Sequence, residues 1–186
     1  LAPSRPTMPD PAVRSPLGAD SGLAFQRGLL VHRLLQTLPD VAPDARERAA
    51  MSFLSRPVHG LEPDRIDALM TETFAVLNHP DYSDLFGPES RAEAPIAGVT
   101  GTTAISGRID RLVIGPDTVK VLDFKTNRPP PAAQEDVSPV YLRQMAAYRS
   151  LLAEIYENQR IECVLLWTDG PRLMSLDAKL LDNYAP

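Results

Sequence analysis

Cysteine is almost missing from this 186-residue chain: Cys163 stands alone, which excludes an intrachain disulfide and a four-cysteine iron–sulfur cluster. Histidine is nearly as scarce, with three residues and no paired-histidine motif, so a metal held here would be a hard one with oxygen-rich ligation. No apolar run approaches the roughly 18 residues that cross a bilayer, which argues against membrane residence. A G-x-x-x-x-G-K-[ST] phosphate loop is also lacking, so ATP hydrolysis is not assigned to these residues. Surplus positive charge is missing as well. The formal net charge is −5, the wrong sign for a domain that grips nucleic acid unaided.

The length supports one domain with a real core plus a tail. Residues 1–20 carry prolines at 3, 6, 9, 11 and 16, have no initiator methionine, and show neither the basic start nor the apolar centre of a signal peptide. They read as an interdomain linker ahead of a domain at 21–186, in a chain that is a piece of something larger. Periodicity predicts helices near Gly22–Leu38, Asp44–Leu54, Pro63–Asn78 and Val140–Tyr156. Strands are predicted near Arg91–Ile96, Thr102–Ile114, Val119–Thr126, Ile161–Thr168 and Arg172–Leu176. This is an α/β pattern, a mixed sheet flanked by helices. Cys163 and Trp167 fall on a strand expected to be buried.

The densest chemistry lies in G-R-I-D-R-L-V-I-G-P-D-T-V-K-V-L-D-F-K-T, from Gly107 to Thr126. Two β-rich apolar runs flank the Gly115-Pro116-Asp117 turn, so Asp110 stands on one strand of a hairpin and Asp123 and Lys125 on the other. Side chains alternate faces along a strand, which puts Asp123 and Lys125 on one side and Phe124 on the other, in packing. On its own D-x-K also fits a cross-strand ion pair. Acids set among Ile109, Leu122 and Phe124 are nevertheless costly to bury unless paired or metal-bound.

Two helices add candidates. Gly28-Leu29-Leu30-Val31-His32 opens a helix whose Leu30, Leu34, Leu35 and Leu38 form a stripe, with His32 on a neighbouring face. A lone helical histidine fits a structural role as well as a ligand. Gln144 and Tyr148 stand four apart on the later helix and share a face, which fits a surface hydrogen bond or support of a site equally.

In order along the chain, G-x-x-x-H, G-R-I-D-R, D-F-K-T and Q-M-A-A-Y resemble the RecB-like branch of the PD-(D/E)XK nucleases. D-F-K-T-N-R-P-P, Y-L-R-Q-M-A-A-Y and L-L-W-T-D-G-P are similar to the C-terminal nuclease domains of AddA-type helicase-nuclease subunits, over roughly Gly22 to Leu176. The resemblance implies a restriction-endonuclease-like αβββαβ core with extra helices inserted after the histidine helix. It also implies that His32, Asp110, Asp123 and the main-chain carbonyl of Phe124 face Mg²⁺, with Mn²⁺ as a substitute. Lys125 becomes the catalytic lysine, supported with the DNA by Gln144 and Tyr148. Asp110 follows Ile109 where the family label has proline, which this branch tolerates.

The same resemblance implies a DNA exonuclease that cuts a single strand, the 3′-terminated one, in the processing of double-strand breaks for recombinational repair. The strand would be delivered by helicase domains of the same full-length chain, working with an AddB-type partner subunit in a reducing bacterial cytoplasm. Some relatives carry an iron–sulfur clamp; the single cysteine rules it out here, in keeping with AddA-type rather than AddB-type chains.

Charge is distributed to match. Residues 101–131 hold five basic side chains (Arg108, Arg111, Lys120, Lys125, Arg128) against Asp110, Asp117 and Asp123, a local +2, which leaves −7 elsewhere. Weak autonomous binding is expected, with the motor supplying effective concentration. Glu93 reads as one half of an edge-strand ion pair, and His59 and His79 as solvated loop residues. Two rival classes are a catalytically inactive nuclease-like module that binds DNA or scaffolds a repair complex, and an unrelated α/β interaction module. Retention of both acids, the lysine and the histidine places them behind the enzyme.

Overall fold

The computed structural model describes residues 19–186, with side chains from residue 22. Of the segment expected to be a linker, residues 1–18 lie outside the described residues. The next two already belong to helix α1, Ala19–Thr37. Helices α2 (Arg46–Leu54) and α3 (Pro63–Leu77) follow, then strands β1 (Ser90–Thr100), β2 (Thr103–Ile114) and β3 (Thr118–Lys125), helix α4 (Pro139–Ile155), strands β4 (Arg160–Trp167) and β5 (Arg172–Leu176), and the short α5 (Ala178–Asp182). No helix among the described residues is long and apolar enough to cross a membrane.

The strands form one five-stranded sheet in the order β1-β2-β3-β4-β5. Neighbours run antiparallel except β3 and β4, which are parallel. A parallel pair needs a long crossover, and α4 is that crossover. It starts where Pro139 takes the first helical position, with no N–H to strand, and Ser138 Oγ accepts the Val140 N–H at 3.3 Å.

Strand alternation divides the interior into two cores. Val119 and Val121 of β3 and Cys163, Leu165 and Trp167 of β4 pack against Met145, Tyr148, Leu151 and Leu152 of α4. Leu122, Phe124, Val164 and Leu166 turn the other way, onto the Leu30, Leu34, Leu35 and Leu38 stripe of α1 and onto Leu69 and Val76 of α3. Full burial of each such side chain is worth about 1.5–3 kcal/mol, so the central strands β3 and β4 are the best-anchored part of the molecule. The site described below grows from their ends.

The predicted elements are present, with differences at the margins. The first strand extends to Thr100 because Pro95 lies on the sheet edge, where a missing N–H interrupts no second ladder. Gly101, left-handed at φ 60°, then turns the chain directly into β2. His59 and His79, expected to be solvated, each pack on a ring: His59 lies 4.9 Å from Phe53, and His79 stacks on Tyr82 at 3.9 Å. His79 Nδ1 also accepts the Asp81 N–H at 3.3 Å, capping the following 3-10 turn.

Cys163 is buried as expected, 2% exposed in the α4-side core. Burial pushes its thiol up to about 12. A thiol so high is almost wholly protonated near neutral pH and inert as a nucleophile. In the folded protein at pH 8, Cys163 should fail to react with a disulfide reagent such as DTNB, and one equivalent should react promptly in guanidinium. Rapid labelling without denaturant would contradict this packing.

Candidate active site

The β2–β3 register runs from Ile114↔Val119 to Arg111↔Leu122. One step further it would pair Asp110 with Asp123, but there the ladder stops. The Asp110 carboxylate replaces it, Oδ2 accepting the Phe124 main-chain N–H at 2.8 Å. On the opposite side, β1 pairs Ala92 with Arg111 and Ala94 with Ile109, leaving Glu93 across from Asp110 unpaired. Glu93 has a φ of 51°, a left-handed conformation that costs a non-glycine residue about 1–3 kcal/mol. Its carboxylate meets Arg108 at 3.6 Å, the expected edge-strand ion pair.

Asp123 and Lys125 share the α4 face, as their spacing predicts, and Lys125 Nζ lies 2.6 Å from Asp123 Oδ2. Gln144 reaches both: its Nε2 donates to Asp123 Oδ1 at 2.9 Å, and its Oε1 accepts from Lys125 Nζ at 3.4 Å. Tyr148 is fully buried, and its hydroxyl donates to the Arg108 carbonyl at 2.8 Å, tying α4 to β2. Gln144 and Tyr148 also meet each other, Gln144 Nε2 lying 3.5 Å from the Tyr148 hydroxyl, so this helix face is turned inward onto β2 and β3. Tyr141, one turn before Gln144, carries Lys125 Nζ 3.6 Å from its ring centroid. Sequence reasoning missed it, although Y-x-x-Q-x-x-x-Y on one helix face was there to be read.

His32 arrives from the opposite layer. Its Nδ1 stands 3.6 Å from Asp110 Oδ2, and its ring meets Phe124 edge-on at 5.8 Å. Burial disfavours the imidazolium, but the adjacent Asp110 carboxylate and then Asp123 outweigh that, so His32 is raised above its ordinary value. For Asp110, burial works against ionisation; His32 and the Phe124 N–H prevail and hold it below the usual range. Asp123 goes the other way, pushed up by burial and by Asp110 in spite of Lys125. Two juxtaposed carboxylates whose proton affinities are driven apart are a recurrent mark of functional sites.

Asp110 of β2, Asp123 and Lys125 of β3 and His32 of α1 thus stand together where the β2–β3 ladder ends. The family model of the PD-(D/E)XK nuclease superfamily matches residues 12–179. The chain belongs to the PD-(D/E)XK nuclease superfamily. A search of curated proteins finds no match. Among solved structures, that of SSO0001 is similar at 15% identity over 89% of this chain and 83% of that one. The TM-score of that match is 0.35.

PD-(D/E)XK nucleases typically use divalent metals. Among the described residues, no three His, Cys, Asp or Glu side chains already converge on one cation position. His32 and Asp110 come together as a pair, and Asp123 lies beyond, with Lys125 against it. The donor chemistry fits a hard cation all the same. Asp110 is near enough for its charge to raise Asp123, and Asp123 Oδ2 is buried without an aligned hydrogen bond although Lys125 Nζ is close. That oxygen keeps lone pairs for a further positive partner.

The local surplus of positive charge is smaller than the sequence suggests. Arg111 is 2% exposed and points into the α1 layer, away from the acids. Its Nη1 donates to Ser90 Oγ at 2.9 Å, its Nη2 to the Leu35 carbonyl at 3.1 Å, and its guanidinium lies over Phe86. Arg108 and Arg128 both face acids, Glu93 and Asp169.

Proposed function

We propose that this domain hydrolyses phosphodiester bonds of single-stranded DNA as a Mg²⁺-dependent exonuclease, with Mn²⁺ able to substitute. The observation that carries the reading is the Asp123–Lys125 pair at 2.6 Å, cross-braced by Gln144 and set across the strand opening from Asp110 and His32. His32, Asp110, Asp123 and the Phe124 carbonyl would hold the cation. When bound, it supplies Lewis acidity toward the scissile phosphate and a more acidic water. Lys125 orients the attacking water or offsets negative charge as it develops on the phosphate. Gln144 holds Lys125 and Asp123 in one geometry, and Tyr148 holds Gln144's helix against β2. No covalent enzyme intermediate is required.

The resemblance to AddA-type chains supports a larger setting for this chemistry. In it the domain trims the 3′-terminated strand unwound by helicase domains of the same full-length protein, beside an AddB-type subunit, during double-strand break repair in a bacterial cytoplasm. An acidic domain in which Arg108 and Arg128 face acids and Arg111 is buried is suited to a strand delivered by a motor rather than captured from solution.

The experiment is digestion of an end-labelled linear single strand and a covalently closed single-stranded circle. With Mg²⁺ the linear strand should shorten progressively, with EDTA it should persist, and the circle should resist. An intact linear strand in both Mg²⁺ and Mn²⁺ would remove the nuclease reading, and a circle cut as fast as the linear strand would remove the exonuclease one.

A further inference from the structure

One buried acid has no part in the chemistry described so far. Glu72 interrupts the apolar stripe of α3 between Leu69 and Val76 and is 8% exposed. Arg27 of α1 forks onto it, Nε to Oε2 at 2.8 Å and Nη2 to Oε1 at 2.6 Å. Thr168, just past β4, donates its hydroxyl to Oε1. Arg128 adds a longer contact at 3.5 Å to Oε2 while its Nε meets Asp169 at 2.8 Å.

The groups that Glu72 anchors grip the end of β3. Arg27 Nη1 donates to the Thr126 carbonyl at 2.6 Å. The Thr168 main-chain N–H donates to the Lys125 carbonyl at 3.0 Å. Helix α1 comes close enough here that a Cβ on Gly28 would lie 2.9 Å from Thr126 Oγ1, and His32 stands one turn further along the same helix.

Energy alone does not account for an acid at this position. A buried ion pair is often matched or bettered by apolar residues of similar volume, and a leucine would seal α3 against α1 from the same stripe. What the carboxylate adds is direction: a bidentate fork fixes the guanidinium in angle as well as distance, and through it the helix that bears His32.

We propose that Glu72 is a positioning residue. Through Arg27 and Thr168 it sets α1 against the end of β3, and so sets His32 and Lys125 relative to Asp110 and Asp123. The inference rests on the nuclease reading, since placement matters only if those four groups act together.

Glu72→Gln keeps the shape but turns an amide donor toward Arg27. The double variant Arg27→Met/Glu72→Met replaces the ion pair with an apolar seal. Steady-state cleavage of single-stranded DNA, thermal melting, and amide exchange at Thr168 in metal-free protein are compared with the unsubstituted chain. In both variants kcat should fall roughly tenfold or more with little change in KM, because misplacement by about 1 Å can cost up to about 10²-fold. Exchange at Thr168 should accelerate in both, while the double variant melts close to the unsubstituted chain. A double variant that melts normally and cleaves within about twofold of the original rate would overturn the proposal, since a misplaced lysine must cost rate. Unchanged exchange at Thr168 in both variants would overturn it equally. If the unsubstituted chain does not cleave DNA, the nuclease reading fails, and the exchange arm still decides whether Glu72 holds the end of β3.

Discussion

Lys125→Ala is expected to slow strand cleavage by about 10²–10³-fold, the loss typical when one preorganised charge-stabilising donor is removed, while leaving manganese binding in place. The ammonium is held by three different contacts: the Asp123 carboxylate, the Tyr141 ring and the Gln144 amide oxygen. It is 9% exposed, so bulk water offers no replacement charge. Arginine should not rescue it, because a planar fork does not fit the space of a compact ammonium between a carboxylate and a ring face.

The variant has a second signature. Without Lys125 the buried Asp123 loses its nearest positive charge, and breaking a buried pair costs about 3–5 kcal/mol. Asp123 is already raised by burial, so the folded state binds its proton more tightly than the unfolded chain does. The loss should therefore be largest at neutral and alkaline pH and shrink as pH falls and Asp123 becomes neutral. Manganese should return part of the lost melting temperature, since a ligand that binds only the folded state stabilises it. Single-turnover cleavage, manganese titration by EPR and melting at several pH values test these points together. A variant that cleaves at nearly the original rate would sink the assignment of Lys125.

Arg111→Ala is expected to lower stability by about 3 kcal/mol, because it strands the Leu35 carbonyl in the interior and removes the packed stem over Phe86. For a chain of this length that corresponds to a fall of roughly 6–12 °C in melting temperature. Burial also lowers the guanidinium from its ordinary value, as desolvation of a charge should, although Asp40 opposes it. Affinity for single-stranded DNA and its salt dependence should stay as they were. A phosphate contact would instead show as a shallower salt dependence, by about one unit of slope. A shallower slope with unchanged melting would mean that Arg111 faces the DNA after all.

Arg111 also marks where sequence reading loses power. The hairpin, the D-x-K face and the Q-x-x-x-Y face were legible because each rests on local periodicity, two residues in a strand or four in a helix. The direction of Arg111 was not, since the strand itself offers two faces and a guanidinium can be satisfied inside only by carbonyls and hydroxyls from distant segments. Glu72 is a similar case. An acid on an apolar helix stripe was visible, but its partners Arg27 and Thr168 lie 45 and 96 residues away in sequence. Tyr141 was legible in principle from its face with Gln144. The docking of His32 on Asp110 followed from the family resemblance, because helix periodicity says which face a histidine shares and not what lies opposite.

The parting of β2 and β3 at Asp110 has a wider consequence. A continuous sheet is a wall that keeps two hydrophobic cores from influencing one another's polar groups. Here a side chain stands in for a ladder bond, and His32 of one layer meets Asp110 while Gln144 of the other meets Asp123. The two acids therefore answer to different cores: a repacking beneath α1 would shift His32 against Asp110, and one beneath α4 would shift Gln144 against Asp123.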